Sequence, residues 1–134
     1  MVIKITIPGK PIPKKRPRMA VRRGTAYVYT PPETQEYEAK AGWAARAAMG
    51  AQGPLTGQVS LRVSVYAKGN LDLDNVIKTL GDACNGIAYI DDMQVVRIIA
   101  AKHKVKDKAD ERVEIEIEEV EYDGLQCPAE AGLA

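Results

Sequence analysis

The sequence predicts an α+β fold in which a mixed, mainly antiparallel β-sheet of about five or six strands carries two α-helices packed on it. Three observations support this class: short segments with alternating apolar residues, two longer segments with helical periodicity, and turn residues between them. The 134 residues, 46% hydrophobic and 28% charged, suit one globular domain with a single core. We predict that domain over residues 1–122 and a disordered tail over residues 123–134, which lack periodicity.

The first predicted elements are three strands. Residues 2–7 alternate isoleucine with other residues, which predicts a strand with its isoleucine side facing the core. Residues 19–21 and 26–29 flank a short polar turn and predict a β-hairpin. Its exposed tip is expected to present Arg22 and Arg23.

A helix start is predicted next. Thr30 is placed as N-cap, Pro31 occupies the first helical position, and Glu33 completes a capping box. The helix is expected to run to about Met49, and Trp43 is expected in the core. Its packed face is assigned to four residues, Tyr37, Ala41, Ala44 and Ala48.

Residues 59–66 alternate apolar and polar side chains, which is the period of a half-buried strand. If the extended backbone continues, Asp72 and Asp74 point to the same side. From Asp74, a plausible N-cap, the period becomes helical, and Asn85-Gly86 is a typical helix exit. The polar arc of this helix is predicted to hold Asp74, Asn75, Lys78, Thr79, Asp82 and Asn85.

The remaining segments predict further strands. Residues 87–90 form a short apolar run, residues 91–92 a turn or strand edge, and residues 95–103 a longer strand. Residues 112–122 alternate apolar residues with glutamate, which predicts a final strand with one wet face. Its glutamates are interpreted as protection against edge pairing.

Four carboxylates in two close pairs dominate the centre of the chain: Asp72 with Asp74, and Asp91 with Asp92. If the chain leaves the first pair, runs along a helix and returns with the second, one cluster can hold both. Oxygen-only sites favour Mg²⁺ or Mn²⁺ over zinc. Each acid alone can also be explained by helix capping or turn formation. Lys78 can be explained by surface ion pairs with the aspartates one turn before and after it on the helix.

The string D-x-D-N-x-x-K-x-x-x-D-A-x-N-G-x-x-x-x-D-D-x-Q-V, Asp72 through Val95, resembles the signature of the RusA family of Holliday junction resolvases, often carried by prophages. Residues 9–18 and Tyr29-Thr30-Pro31 resemble the opening of phage-type members. Together the matches span roughly residues 5–120. Two helix positions are smaller than the family's usual apolar residues, Gly81 and Cys84.

This resemblance implies a small, homodimeric, magnesium-dependent endonuclease, with Mn²⁺ as a possible substitute, that nicks four-way DNA junctions symmetrically. Carried over residue by residue, it implies catalytic roles for Asp72, Asp74, Lys78 and Asp92. Metal ligands would be Asp72, Asp74, Asp92 and, with a less clear role, Asp91. No organic cofactor is implied. A non-catalytic nucleic-acid-binding dimer with a structural ion site, and a nuclease preferring flaps or forks, stay open as alternatives.

The net charge of +1 hides a basic N-terminal region, because residues 1–30 contain eight lysines and arginines and no acid. We predict that the segment 10–23 lies along DNA phosphates, with a solvated loop as the alternative. The candidate DNA-binding residues are Lys14, Lys15, Arg16, Arg18, Arg22 and Arg23. Tyr27 and Tyr29 are expected to pack on the strand, with stacking on an unpaired base as a weaker alternative.

The sequence has no apolar run of membrane-spanning length and no signal peptide, so we expect a cytoplasmic protein without a membrane partner. Cys84 and Cys127 have no C-x-x-C spacing and are predicted to be free thiols. His103, the single histidine, has no triad pattern around it and is expected to be structural.

Overall fold

A computed structural model describes residues 2–121 of the chain. Its helices and strands follow in the order β1 (Val2–Pro8), β2 (Arg18–Arg22), β3 (Thr25–Tyr29), α1 (Pro32–Met49), β4 (Val59–Ala67), α2 (Leu73–Cys84), β5 (Val95–Lys104) and β6 (Arg112–Glu119). The α+β class and the two helices are confirmed. The strands are divided between a four-stranded sheet and the two-stranded β2–β3 hairpin. The predicted tail and Cys127 lie outside the described residues.

The four-stranded sheet has the order β1-β6-β4-β5. β6 pairs antiparallel with both β1 and β4, whereas β4 and β5 are parallel and joined through α2. A parallel pair requires such a crossover, and a helix is its usual form. The interpretation of the β6 glutamates as edge protection is wrong, because β6 lies inside the sheet. One of them, Glu116, instead faces Arg62 of β4, with 3.9 Å between Oε2 and Nε.

The hydrophobic core lies between one face of this sheet and the helices. β1 and β6 supply matching apolar pairs across their ladder, Ile3 with Ile117, Ile5 with Ile115 and Ile7 with Val113. All six side chains are buried, which confirms the predicted inward isoleucine face. Burial of each such side chain stabilises the fold by about 1.5–3 kcal/mol.

The start of α1 differs from the prediction. Pro31 is the N-cap, the helix begins at Pro32, and no side chain caps it. The predicted capping box of Thr30 and Glu33 is therefore wrong. Thr30 lies one residue too early, and its carbonyl accepts a hydrogen bond from Gln35 Nε2 at 2.7 Å.

The packed face of α1 is also rotated from the predicted stripe. Gly42 faces the end of α2, where a Cβ atom would lie 3.7 Å from the Ala83 carbonyl oxygen, so the two helices approach closely. Ala44 is only half-buried, Ala48 is exposed, and Trp43 is 71% exposed, so the predictions for Ala48 and Trp43 are wrong. The buried residues are Thr34, Tyr37, Ala41, Gly42, Ala45 and Met49.

The polar arc predicted for α2 contains one error. Thr79 is fully buried, and its hydroxyl donates to the Asn75 carbonyl at 3.2 Å, which satisfies it within the helix. The predicted exit is confirmed, because Asn85 is the C-cap and Gly86 adopts a φ of +82°. Residues 87–90 do not form the predicted strand. Residues 86–88 are a turn in which the Ile87 and Ala88 amides donate to the Cys84 carbonyl, and Tyr89 makes only isolated β-bridges to Leu55 and Asn85.

The β2–β3 hairpin is confirmed. Arg23 and Gly24 form its turn with φ values of 51° and 78°, as a two-residue turn of this kind requires. The tip residues Arg22 and Arg23 are exposed. In the part of the chain that is described, neither α1 nor α2 combines the length and hydropathy needed to cross a membrane.

Candidate active site

The first acid pair lies at the start of α2. Asp72 is the N-cap, and its Oδ1 accepts from the amides of Asp74 at 3.1 Å and Asn75 at 3.4 Å. Its Oδ2 accepts from Asn75 Nδ2 at 3.0 Å. The prediction of Asp74 as N-cap is wrong, and the backbone is not extended through Asp74. The helix begins earlier because Leu73 packs against the core in its first turn.

The approach to this helix start is fixed from β5. Lys102 Nζ donates to Asn70 Oδ1 at 2.9 Å and to the Leu71 carbonyl at 2.8 Å. Both acceptors come directly before Asp72 in the chain. The end of β5 therefore holds the loop from which the first acid pair projects.

Lys78 lies one turn beyond the first acid pair. Its Nζ is 3.7 Å from Asp74 Oδ2, and both side chains are exposed. Asp82, the next acid on the same face, instead pairs with Lys14 at 3.1 Å. An exposed i,i+4 pair contributes under about 1 kcal/mol, so the Lys78 ammonium can leave Asp74 for a stronger anion.

The second acid pair, Asp91 and Asp92, is exposed in the turn before β5. Gln94 holds this turn, because its Oε1 accepts from the Ile90 amide at 2.7 Å and the Asp91 amide at 2.9 Å. Its Nε2 donates to the Leu55 and Gly57 carbonyls, each at 2.8 Å. Gln94 is part of the sequence motif, but the sequence analysis assigned it no role. The spacing Asp91-x-x-Gln94, which is typical of a capping box, could have predicted this role.

A groove of about 440 Å³ separates α2 from β5. Ile77 of α2 and Ile98 of β5 line its two sides, and Tyr89 lies between them. Lys78 and Asp92 both line the same groove. Lys78 therefore contacts both regions of the site. It pairs with Asp74 of the first acid pair, and it lines the same groove as Asp92 of the second pair.

Burial and the charge of Asp92 influence two neighbouring groups. Burial raises the pKa of the Cys84 thiol to about 12, and the negative charge of Asp92 adds to the rise. Burial, with smaller contributions from Cys84 and Asp92, also raises the pKa of the Tyr89 hydroxyl well above its usual value. Cys84 therefore stays a neutral thiol near neutral pH, and it is not a good metal ligand in that form.

The two acid pairs do not form one cluster. The parallel crossover carries the chain along α2, about 18 Å for 12 residues at 1.5 Å each, so the pairs flank opposite ends of the helix. Within residues 2–121, no three histidine, cysteine, aspartate or glutamate side chains gather closely enough to hold one metal ion. The expectation that one cluster holds both pairs is not met within a single chain.

The donor chemistry still suits a hard cation. Asp72, Asp74, Asp91 and Asp92 are exposed and offer only oxygen. Mg²⁺ keeps several waters and commonly takes one or two carboxylates together with substrate phosphates. Either acid pair therefore fits Mg²⁺ when a phosphodiester supplies further ligands. His103 has a packing role, because its ring stacks on that of Tyr66 with 4.9 Å between the ring centroids.

The predicted DNA-binding residues divide into two groups. Lys14 Nζ lies 2.6 Å from Glu38 Oε1, and Lys15 Nζ lies 2.6 Å from Glu33 Oε2, so both lysines are paired with acids of α1. The Glu38 hydrogen bond raises the pKa of Lys14 above its usual value. The four arginines are exposed and form no salt bridge among the described residues: Arg16, Arg18, Arg22 and Arg23.

The hairpin that carries three of these arginines has two different faces. The strand register places Arg18 opposite Tyr29 and Arg22 opposite Thr25, with Tyr27 on the same face. The rings of Tyr27 and Tyr29 lie 5.9 Å apart between centroids. The opposite face carries exposed apolar side chains, Met19, Val21 and Val28. The basic and aromatic face is the one suited to phosphates and bases.

Comparison with known proteins places these features in a family. Residues 8–118 match the family model described as Endodeoxyribonuclease RusA. A protein of Bacillus subtilis (strain 168), named "Uncharacterized protein YqaN", is 30% identical over 141 aligned positions. That alignment covers 88% of this chain and 96% of the relative.

Proposed function

The chain belongs to the RusA family of endodeoxyribonucleases, and from this premise we propose that it resolves four-way DNA junctions by paired, metal-dependent nicks. The observation that carries the proposal is the family match over residues 8–118, which includes both acid pairs, Lys78 and the basic hairpin. The exposed oxygen ligands and unpaired arginines described above support it.

We propose Asp72, Asp74 and Asp92, with Asp91 as a further oxygen donor, as ligands of divalent cations. Because the two acid pairs flank opposite ends of α2, each pair would hold its own ion within one chain. When bound, Mg²⁺ or Mn²⁺ supplies an activated water and neutralises phosphate charge. Asp72 has a second task, because its carboxylate also caps α2. The same helix therefore fixes the direction in which Asp72 and Asp74 present their oxygens.

Lys78 is proposed to stabilise the scissile phosphate. Its ammonium is exposed and only weakly held by Asp74 at 3.7 Å. A phosphate that gains charge in the transition state is a stronger partner than this exposed carboxylate. The arginines of the basic segment and the hairpin are proposed to hold the flanking DNA through its phosphates.

We further propose a homodimer as the active form. A four-way junction offers two equivalent strands, and a twofold symmetric dimer presents two equivalent sites. Paired nicks across the junction follow from that symmetry.

A non-catalytic DNA-binding protein is the second candidate. It is favoured by two observations, the role of Asp72 as a helix cap and the separation of the acid pairs along α2. In that case the acids stabilise the local structure, and the exposed arginines alone account for DNA binding.

The deciding experiment is cleavage of an end-labelled, immobile four-way junction in Mg²⁺ or Mn²⁺, beside duplex and flap controls. Asp74→Asn tests the site, and Glu36→Gln, an exposed acid on α1, is the matched control. We expect symmetric nicks from the wild type and Glu36→Gln, and none from Asp74→Asn, which should still shift the junction in a gel. Binding by the wild type without cleavage in either ion would establish the second candidate instead.

A further inference from the structure

A surface cleft of about 430 Å³ lies between α1 and the end of α2. Sites for small organic groups commonly have volumes of about 300–1,000 Å³. The cleft is open partly because α1 contributes two small residues, Ala39 and Gly42, to its lining. The function proposed above does not use this cleft.

Trp43 lines one side of the cleft. Its side chain is 71% exposed, although tryptophan is usually among the more buried residues of a protein. The indole is a rigid, flat, apolar surface, and such a surface stacks well with another planar ring. The cleft therefore has an unoccupied stacking platform at its side.

Arg46 adds a positive charge to the same cleft, three residues after Trp43 on α1 and thus next to it on the helix surface. The two acids of the cleft, Glu38 and Asp82, both pair with Lys14, at 2.6 Å and 3.1 Å. Arg46 forms no salt bridge with any other residue that the structure describes. Its guanidinium group is therefore the charge of the cleft that is open to an external anion.

Two side-chain amides complete the lining. Gln35 contributes one from α1, and Asn85 contributes the other from the C-cap of α2. An amide both donates and accepts hydrogen bonds, as the edge of a nucleobase requires. A stacking platform, a free cation beside it and nearby amides together match a nucleotide, which combines a planar ring, an anionic phosphate and a polar edge.

The cleft adjoins the groove between α2 and β5. Asp82 lines both of them, and the groove also contains Lys78 and Asp92. A DNA strand that lies in the groove can therefore cross α2 and reach Trp43. In a duplex, each base is stacked between its neighbours, so only an unpaired base can present its face to the indole.

We propose that Trp43 and Arg46 form a binding site for an unpaired nucleotide of DNA. The base stacks on the indole, and the phosphate pairs with the guanidinium group. This site rests on the proposed function in that its ligand is DNA, but binding there requires neither a metal ion nor cleavage. It gives the protein a preference for DNA that contains unpaired bases over continuous duplex.

The fluorescence of Trp43 reports on this site directly, because the chain contains one tryptophan. Titration with a short oligothymidylate in EDTA should quench the fluorescence until the site is saturated, and a blunt duplex of equal length should quench it far less. Binding of the oligothymidylate without quenching would overturn the site, and so would equal quenching by the duplex. Fluorescence that changes with protein concentration in the absence of DNA would show that a second copy covers Trp43, which would also overturn it.

Substitutions provide the second measurement, the anisotropy of a labelled oligothymidylate. Trp43→Ala should bind about 5–150-fold more weakly, as expected for the loss of one stacked base, and Trp43→Phe should retain most of the affinity. Arg46→Gln should make the slope of log affinity against log salt shallower by about 0.7, as expected for one phosphate of a single strand. Arg62→Gln, which removes an exposed arginine of the main sheet, is the control and should bind as the wild type does.

Because Trp43 and Arg46 are exposed, their variants should keep the circular dichroism spectrum of the wild type. Wild-type affinity in Trp43→Ala would overturn the site. Junction cleavage separates this proposal from the proposed function. Quenching by the oligothymidylate without any junction cleavage would support the site and count against the nuclease, whereas junction cleavage without a response of Trp43 would do the reverse.

Discussion

The ammonium group of Lys14 lies 3.1 Å from the Asp82 carboxylate of α2 and 2.6 Å from the Glu38 carboxylate of α1. Its backbone amide also donates to the Asn75 carbonyl at 2.9 Å. A residue of the basic segment thus joins the two helices. This position gives Asp82 a structural role, as the partner of Lys14 on α2.

Replacement of Lys14 by glutamine should lower the free energy of unfolding by about 1 kcal/mol, because the ion pairs are partly exposed. The raised pKa of Lys14 gives the pH dependence. Its contribution is fully present below the usual lysine pKa of about 10.4 and is lost as the pH rises through the higher folded-state value. Urea unfolding at pH 7 and pH 11 should show a difference at the lower pH that shrinks at the higher. Equal midpoints at pH 7 would contradict this role.

Two substitutions of Asp72 should separate capping from metal binding. Asparagine caps helices as well as aspartate does, whereas alanine costs about 0.5–2 kcal/mol. We expect Asp72→Asn to keep the thermal stability of the wild type and lose junction cleavage, and Asp72→Ala to lose both. Thermal unfolding and cleavage are the two readouts. Full cleavage by Asp72→Asn would show that only the cap matters.

Gln94 should be a positioning residue for the second acid pair. Gln94→Ala leaves two amides and two carbonyls without their partner, which costs about 1–3 kcal/mol. Gln94→Glu should also destabilise, because a carboxylate would face the Leu55 and Gly57 carbonyls. In single-turnover assays, both variants should cleave more slowly while their affinity for junction DNA stays unchanged. An unaltered rate would mean that Asp92 does not depend on this turn.

Gly81 and Gly86 should respond in opposite ways to alanine. Gly81 lies inside α2, and a Cβ atom there meets nothing within 4 Å, so Gly81→Ala should stabilise by up to about 1 kcal/mol. Gly86 has equal space but a φ of +82°, and alanine there should destabilise by about 1–2 kcal/mol. Thermal unfolding of both variants provides the comparison. A lower melting temperature for Gly81→Ala would be the contrary result.

The hairpin tip should contribute to DNA affinity through charge alone. Arg22→Gln and Arg23→Asn each remove one cation, and asparagine tolerates the φ of 51° at residue 23. The slope of log affinity against log salt should become shallower by about 1 for each variant. Arg62→Gln, an exposed arginine of the main sheet, is the control and should leave the slope unchanged. Equal slopes for all four proteins would remove the hairpin from the DNA-binding surface.

Regular alternation made the sheet predictable. The isoleucines of β1 and the apolar residues of β6 identify one buried face each, because a strand has a period of two residues. The pairing of these two strands was not predictable, since each contact joins residues more than 100 positions apart, such as Ile3 and Ile117. Local pattern contains no information on such partners.

Errors in the site came from choices that tertiary contacts decide. Asp72 and Asp74 are both acceptable N-caps, and the packing of Leu73 against the core favours the earlier one. Lys14 and Lys15 were predicted to bind DNA phosphates, but in the folded chain both form ion pairs with glutamates of α1. The tether by Gln94 joins residues about 40 positions apart, and only its short-range spacing to Asp91 was visible in the sequence.

The position of β6 has a consequence for the synthesis of the protein. It lies between β1 and β4, although it is the last of the described strands to be translated. Until residue 119 has left the ribosome, β1 has no strand to pair with, and β4 has one open side. We therefore expect the nascent chain to stay unfolded or chaperone-bound until late in translation, and truncation before Arg112 to yield no stable sheet.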